Sequence, residues 1–125
     1  MKSLPVILAV LIVAVILTGR NKEEYKIISQ DEAKAMMDNG GVTVIDVREQ
    51  DEYDSGHIKS AVLLPLGTIT ADTAEKVIES KDTAVLVYCR SGNRSKKASA
   101  ILAKLGYKNI YEIGGITSWP YGVEY

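Results

Sequence analysis

The 125-residue chain has one Cys, one His, one Trp, three Pro and no Phe. A single thiol forms neither an intrachain disulfide framework nor a Cys-rich zinc or iron–sulfur centre. Charge of one sign is scarce as well. The 15 basic and 16 acidic residues leave a formal net charge of −1, so no global field draws nucleic acid, and none is expected as a partner. The length is that of one domain and speaks against a separate cofactor module. Apolar residues make up 46% of the chain, enough for a core, and they are unevenly spread.

Residues 4–17 form a run with no charged or hydrogen-bonding side chain, flanked by Lys2 and Arg20. This is the length of a signal-peptide core and falls short of the about 20 residues that span a bilayer comfortably. Residues 1–20 are therefore expected to be a signal peptide or an N-terminal membrane anchor, touching the membrane through residues 4–17. Lys2 favours a cytoplasmic N-terminus and an exported, membrane-associated domain on the extracytoplasmic side of a bacterium. The end of the segment, Leu17-Thr18-Gly19-Arg20, is similar to a lipoprotein processing site in which Arg20 replaces the lipid-bearing Cys. No lipid can be attached there without a thiol.

The remaining chain alternates helical and strand patterns. Ser29 and Glu32 form a capping box ahead of Ala33, Ala35, Met36 and Met37, which predicts a short helix ended at Asn39-Gly40-Gly41. Thr43–Val47, Ala61–Pro65, Ala84–Tyr88 and Asn109–Ile113 read as strands, with Pro65 stopping the second and Gly114-Gly115 read as a turn. Between the first two lies a polar stretch, Arg48–Lys59, and Thr70–Glu79 has helical spacing. Ala98, Ile101, Leu102 and Leu105 share one face of a helix that ends at Gly106. Strands that are apolar runs, alternating with helices, indicate an α/β fold whose mostly parallel sheet is covered on both faces. Ligands of such sheets bind beyond the carboxyl ends of the strands, and Cys89 sits at that end of the most apolar one.

The loop Cys89-Arg90-Ser91-Gly92-Asn93-Arg94-Ser95 carries the chemistry. Two Arg, the start of a helix and a run of free backbone amides in Ser-Gly-Asn are each expected to favour a thiolate at Cys89. Gly92 supplies the backbone freedom of a tight turn. Loops with one more residue between Cys and Arg enclose a tetrahedral phosphate, as in the tyrosine phosphatases. Here four residues separate Cys89 from Arg94, which makes a smaller cradle suited to a sulfane sulfur.

With Asp46-Val47-Arg48, Glu52-Tyr53, Gly56-His57-Ile58, Ala61, Pro65, Gly114-Gly115-Ile116 and Trp119 in order around that loop, the chain resembles a single-domain rhodanese, a sulfurtransferase module, over residues 25–125. The resemblance implies a central five-stranded sheet with helices on both faces. It also implies a Cys89 persulfide formed from a small anionic donor such as thiosulfate and passed to a thiol or cyanide-like acceptor, a protein thiol included. Arg90, Ser91, Gly92, Asn93, Arg94 and Ser95 would bind the anion, with no metal or organic cofactor. Asp46, Arg48 and His57 are expected to support the site by bracing neighbouring loops, and Lys96 and Lys97 are candidates for steering anions. The alternatives are a non-enzymatic persulfide carrier or redox-sensing module, suggested by the missing second thiol, and a phosphatase or arsenate-reductase-like enzyme.

Overall fold

A computed structural model describes residues 24–125; the segment expected to be a signal or anchor lies outside the described residues. The elements run β1 (Lys26–Ile27), α1 (Gln30–Asn39), β2 (Val42–Asp46), α2 (Gln50–Asp54), β3 (Val62–Leu63), a 3-10 turn (Leu66–Thr68), α3 (Ala71–Val77), β4 (Ala84–Cys89), α4 (Asn93–Lys104), β5 (Asn109–Gly115) and a second 3-10 turn (Ile116–Ser118). The strands form one sheet in the order β1-β5-β4-β2-β3, every pair parallel. No helix among the described residues is long and apolar enough to cross a membrane.

Strand alternation divides the core in two. In β4, Val85, Val87 and Cys89 face a cluster completed by Ala74 and Ile78 near α3 and by Ala98 and Leu102 of α4. Leu86 and Tyr88 point the other way, toward Ala33 of α1, Ile58 and Ile113. Both faces of the sheet are thus covered, which is why β4 carries no polar alternation.

The helices begin and end as their caps dictate. Ser29 Oγ accepts from the Glu32 amide at 3.0 Å while Glu32 Oε1 accepts from the Ser29 amide at 3.2 Å. Thr70 and Thr73 exchange the same pair of bonds at the start of α3. At the end of α4, the amides of Gly106 and Tyr107 return to the carbonyls of Ala103 and Leu102, with Gly106 at φ +104°.

Four local readings are corrected. The second strand is shorter than Ala61–Pro65, since only Val62 and Leu63 pair with β2. The polar stretch contains α2, begun by Glu52 Oε1 accepting from the Glu49 amide at 3.0 Å. An additional edge strand, β1, pairs with β5 through Lys26 and Ile27; it has two residues and an exposed Ile27, too little for any apolar pattern to register. Finally, Gly114 and Gly115 are not a turn. They continue β5 through a bulge, where Val87 pairs with Glu112 but Cys89 pairs with Gly115, so that β5 gains a residue and Gly114 takes φ +86°.

Candidate active site at Cys89

Cys89 ends β4 and α4 begins four residues later, so the connecting loop must turn at once. Gly92 makes the turn at φ +113°, a conformation other residues adopt only with strain. The turn brings the Gly92 amide to 3.0 Å from Cys89 Sγ. Ser95 Oγ lies 3.4 Å from it. Cys89 is only 1% exposed. Burial by itself pushes the thiol up; the hydrogen bonds from Ser95 and from the loop amides outweigh it, and the thiol is held below its ordinary value.

The loop is seated on β5. A β-carbon at Gly115 would lie 2.0 Å from the Arg90 carbonyl oxygen and 2.5 Å from Ser91 Cα, so the two backbones touch where only glycine fits. The Arg90 carbonyl is fixed by the Thr117 amide at 3.2 Å and the Thr117 hydroxyl at 3.1 Å. From α1, Gln30 Nε2 donates to the carbonyls of Ile113 and Gly115, each at 3.0 Å, and so holds the bulge.

Arg94 forms a two-pronged ion pair with Glu52 of α2, at 2.8 and 3.0 Å. Its guanidinium is thus held by a carboxylate, and the hydrogen bonds of the loop are the main cause of the depressed thiol. The hydrogen bonds from Arg94 hold the Glu52 carboxyl down at about 2. Lys96 comes close to the loop, its Nζ 3.7 Å from where a β-carbon on Gly92 would stand.

Asp46 and Arg48 form a buried pair at 2.7 Å, with Asp46 fully buried. Tyr88 Oη donates to Asp46 Oδ2 at 2.6 Å and accepts from the Ile58 amide at 3.0 Å, and Arg48 Nη2 donates to the Gly56 carbonyl at 2.8 Å. Burial, then the bond to Asp46, drives the Tyr88 phenol far above its ordinary value. These residues tie the Gly56–Ile58 loop to the sheet. His57 stacks on Tyr53 with ring centroids 3.8 Å apart, and its Nδ1 lies 3.0 Å from the Tyr53 carbonyl. Its backbone pairs with Glu124, so its contacts go to these partners and not to the sulfur. Trp119 meets Tyr121 edge-on and lines a separate cleft with Met37, Val44 and Lys59.

Glu112 is the residue the sequence reading passed over. It is 1% exposed and accepts from the Ser95 hydroxyl and, at 2.9 Å, from the Gly114 amide. The second bond occupies the N–H that the bulge leaves free. A signal was present: Glu112 is two residues from Ile110, so strand alternation turns both to the core. Among the described residues, no group of three or more His, Cys, Asp or Glu side chains is placed to hold a metal ion.

Comparison with known proteins agrees with this arrangement. Residues 29–120 match the family profile described as Rhodanese-like domain. The chain is 37% identical over 107 residues to a tRNA uridine(34) hydroxylase of Cytophaga hutchinsonii, covering 82% of this chain and 33% of that protein. It is 32% identical over 96 residues to the protein of the same name from Photorhabdus laumondii, covering 74% of this chain and 27% of that one. The chain thus spans about a quarter to a third of the length of these curated relatives. Among solved structures, a rhodanese-like domain protein from Staphylococcus aureus superposes with TM-score 0.69 at 31% identity, covering 79% of this chain and 96% of that one. A rhodanese from E. coli solved with anions gives TM-score 0.57 at 31% identity, covering 60% and 87%.

Proposed function

Because this chain belongs to the rhodanese-like domain family, we propose that it is a thiosulfate-type sulfurtransferase working through a Cys89 persulfide. The observation that carries this reading is the Gly92 amide 3.0 Å from Cys89 Sγ, in a loop whose hydrogen bonds hold the thiol below its ordinary value. Such fixed donors stabilise an anionic sulfur and need no rearrangement when charge develops. The thiolate attacks the outer sulfur of the donor, the donor's S–S bond breaks, and sulfite leaves with the bonding pair. The persulfide then gives its terminal sulfur to a thiol or to a cyanide-like acceptor, restoring the thiolate.

Arg90 attracts the anionic donor, assisted by Lys96 at the loop and by Arg94 once its pairing with Glu52 allows. The tRNA uridine(34) hydroxylases are proteins of which this chain matches only a part, and the proposal rests on the loop. The apolar run at residues 4–17 supports an exported, membrane-tethered placement, which protease protection in fractionated cells tests directly.

The activity is tested by incubating the reduced protein with thiosulfate and weighing the intact chain. The expected result is one added sulfur on Cys89, absent from Cys89→Ser. A chain that stays unmodified while Cys89 still reacts with an alkylating agent overturns the proposal.

A further inference from the structure

We propose that Glu52 is a resident counter-anion that competes with sulfur oxyanions for Arg94, so that its return to Arg94 expels the sulfite left after sulfur transfer. The inference rests on the reading above in taking the Cys89 loop as the place where an anionic donor binds. It deepens that reading by naming the residue that limits how tightly the anion is held.

The fold itself brings the pair together. In the β2–β4 register Asp46 lies opposite Tyr88, so the chains leaving the two strands emerge side by side at the carboxyl edge of the sheet. Glu52 stands six residues beyond Asp46, and Arg94 six beyond Tyr88. Their side chains meet in two parallel bonds, Nη1 donating to Oε1 at 2.8 Å and Nη2 to Oε2 at 3.0 Å. An arginine presents such a fork equally to a carboxylate or to the oxygens of a tetrahedral anion. Glu52 therefore occupies the two nitrogens that the oxygens of thiosulfate would take.

Two observations place this pair where a donor meets it. The side chains of Arg94 and Glu52 are 33% and 26% exposed, whereas Cys89 is 1% exposed. A dissolved anion thus reaches the fork directly. The Arg94 guanidinium is also held above its ordinary value, first by the Glu52 hydrogen bond, with the charges of Cys89 and Glu49 adding to it, so sulfur and guanidinium lie in each other's field. The balance of charge differs across the site. On the α2 side Glu49 joins Glu52, while on the loop side Arg90 is exposed with no ion pair among the described residues, and Lys96 Nζ comes within 3.7 Å of where a β-carbon on Gly92 would stand. Arg90 and Lys96 draw an anion in; Glu52 makes it replaceable.

Replaceability matters because of what the first half-reaction leaves behind. Once the outer sulfur has passed to Cys89, the sulfite that remains has the same three oxygens as the bound donor. A cradle that gripped thiosulfate hard by those oxygens would grip sulfite as hard, which is uniform binding and does nothing for turnover. Glu52 lowers the hold on both. Arg94 exchanges a carboxylate for the donor's oxygens and takes the carboxylate back as sulfite leaves, and the freed Glu52 stays partly open to water meanwhile, so neither charge is stranded in a dry place. Glu52 touches no reacting atom and acts only through Arg94, which makes it a positioning residue.

The test reads occupancy of the cradle without sulfur transfer. Reduced full-length chain is alkylated at Cys89 with uncharged iodoacetamide at constant ionic strength, and the concentrations of inorganic sulfate and of sulfite that halve the rate are measured. Glu52→Gln, which removes the charge and leaves an oxygen for the Glu49 amide, is expected to lower both concentrations about fivefold, the size of a partly exposed ion pair. Arg94→Gln is expected to raise them, and the double variant to match Arg94→Gln alone, because residues that act through one contact are not additive. With thiosulfate as donor, Glu52→Gln is expected to lower KM without raising kcat and to strengthen inhibition by sulfite. Equal half-protecting concentrations in wild type and Glu52→Gln overturn the proposal. So does an effect of Glu52→Gln that survives in the Arg94→Gln background, or an absence of protection in both wild type and Glu52→Gln. Should Glu52→Gln not fold, Glu52→Asp takes its place, with a smaller fall expected and a rise or no change overturning the proposal. A chain that is protected as described yet gains no sulfur from thiosulfate refutes the sulfurtransferase reading alone.

Discussion

Arg94, the second arginine of the sulfur-binding loop, is bound two-pronged to Glu52 on α2, with its guanidinium nitrogens 2.8 and 3.0 Å from the carboxylate. The pair joins the start of α4 to a short helix that follows β2, and Glu52 also accepts from the Glu49 amide that opens that helix. Losing the Glu52 charge therefore loosens α2 and frees Arg94 together.

The pH dependence follows from the direction of the shift. The Glu52 carboxyl is lowered from 4.5 to about 2 in the folded chain, chiefly by Arg94. Its contribution to stability is fully present above pH 4.5 and is lost as pH falls toward 2. Both side chains are partly exposed, and solvent screening reduces the pair to roughly 1 kcal/mol. Glu52→Gln is expected to lower the unfolding free energy measured by urea titration at pH 7 by that amount. Repeated at successively lower pH, the gap from wild type should close; a gap that is constant down to the acid limit removes the ion pair as its cause.

Gly115→Ala tests the seat of the loop. The added methyl would stand 2.0 Å from the Arg90 carbonyl oxygen and 2.4 Å from the carbonyl carbon, both backbone atoms with no rotamer to yield. Either β5 or the Arg90–Ser91 segment must move. The cost is about 1–3 kcal/mol of overpacking, and a shift of the amides by even ~1 Å costs about a hundredfold in rate. Persulfide formation is expected to fall by that factor while circular dichroism still reports the fold. Wild-type rates in Gly115→Ala would show that the loop does not depend on this contact.

Removing Arg48 should cost stability and spare the chemistry. Arg48→Ala leaves the Asp46 carboxylate buried with the Tyr88 hydroxyl as its remaining side-chain partner. Breaking a buried pair from one side costs about 3–5 kcal/mol. Thermal denaturation is expected to show that loss, while the rate of Cys89 alkylation in the surviving folded fraction stays within about twofold. That bound is set against the tenfold change that about 1.4 kcal/mol would give. A large fall in alkylation rate would instead place Arg48 in the electrostatics of the sulfur.

How far the sequence reached depends on what each residue pattern has to announce. β4 and its loop were legible, because a strand buried on both faces is a continuous apolar run and Cys89 stands at its end. The Ser29 start was legible because capping is local chemistry, and the helix after Thr70 because its apolar residues recur at helical spacing. β1 left no pattern, since its place comes from hydrogen bonds to Tyr111 and Glu112 across the chain. The bulge at Gly114 was read as a turn because two glycines signal a reversal in sequence, whereas here one takes the positive φ and the other yields to the Arg90 backbone. The Arg94–Glu52 pair left no signal because Glu52 lies 42 residues away, in a helix no apolar period marks. Strand alternation with Ile110 marked Glu112 as inward-facing, but its partners, Ser95 and the bulge amide, meet it only in three dimensions.

The last prediction isolates the amides from the arginines as the source of the depressed thiol. Burial raises the Cys89 thiol, and Ser95 together with the amides of Ser95, Gly92 and Ser91 brings it below the ordinary value. The alkylation rate of Cys89 is therefore expected to rise with pH around a midpoint under the about 8.5 of a free thiol. Gly92 holds its amide on the sulfur at φ +113°, where a methyl group strains the backbone. Gly92→Ala should therefore turn the amide away and move the midpoint up, whereas Arg94→Gln should move it less. The folded thiol's lowered value also means that wild type gains stability over Cys89→Ser as pH rises from the folded midpoint to the free-thiol value, and loses that margin as pH falls back through it. A Gly92→Ala protein with the wild-type midpoint, beside an Arg94→Gln protein whose midpoint has climbed, would return the thiolate to the arginines.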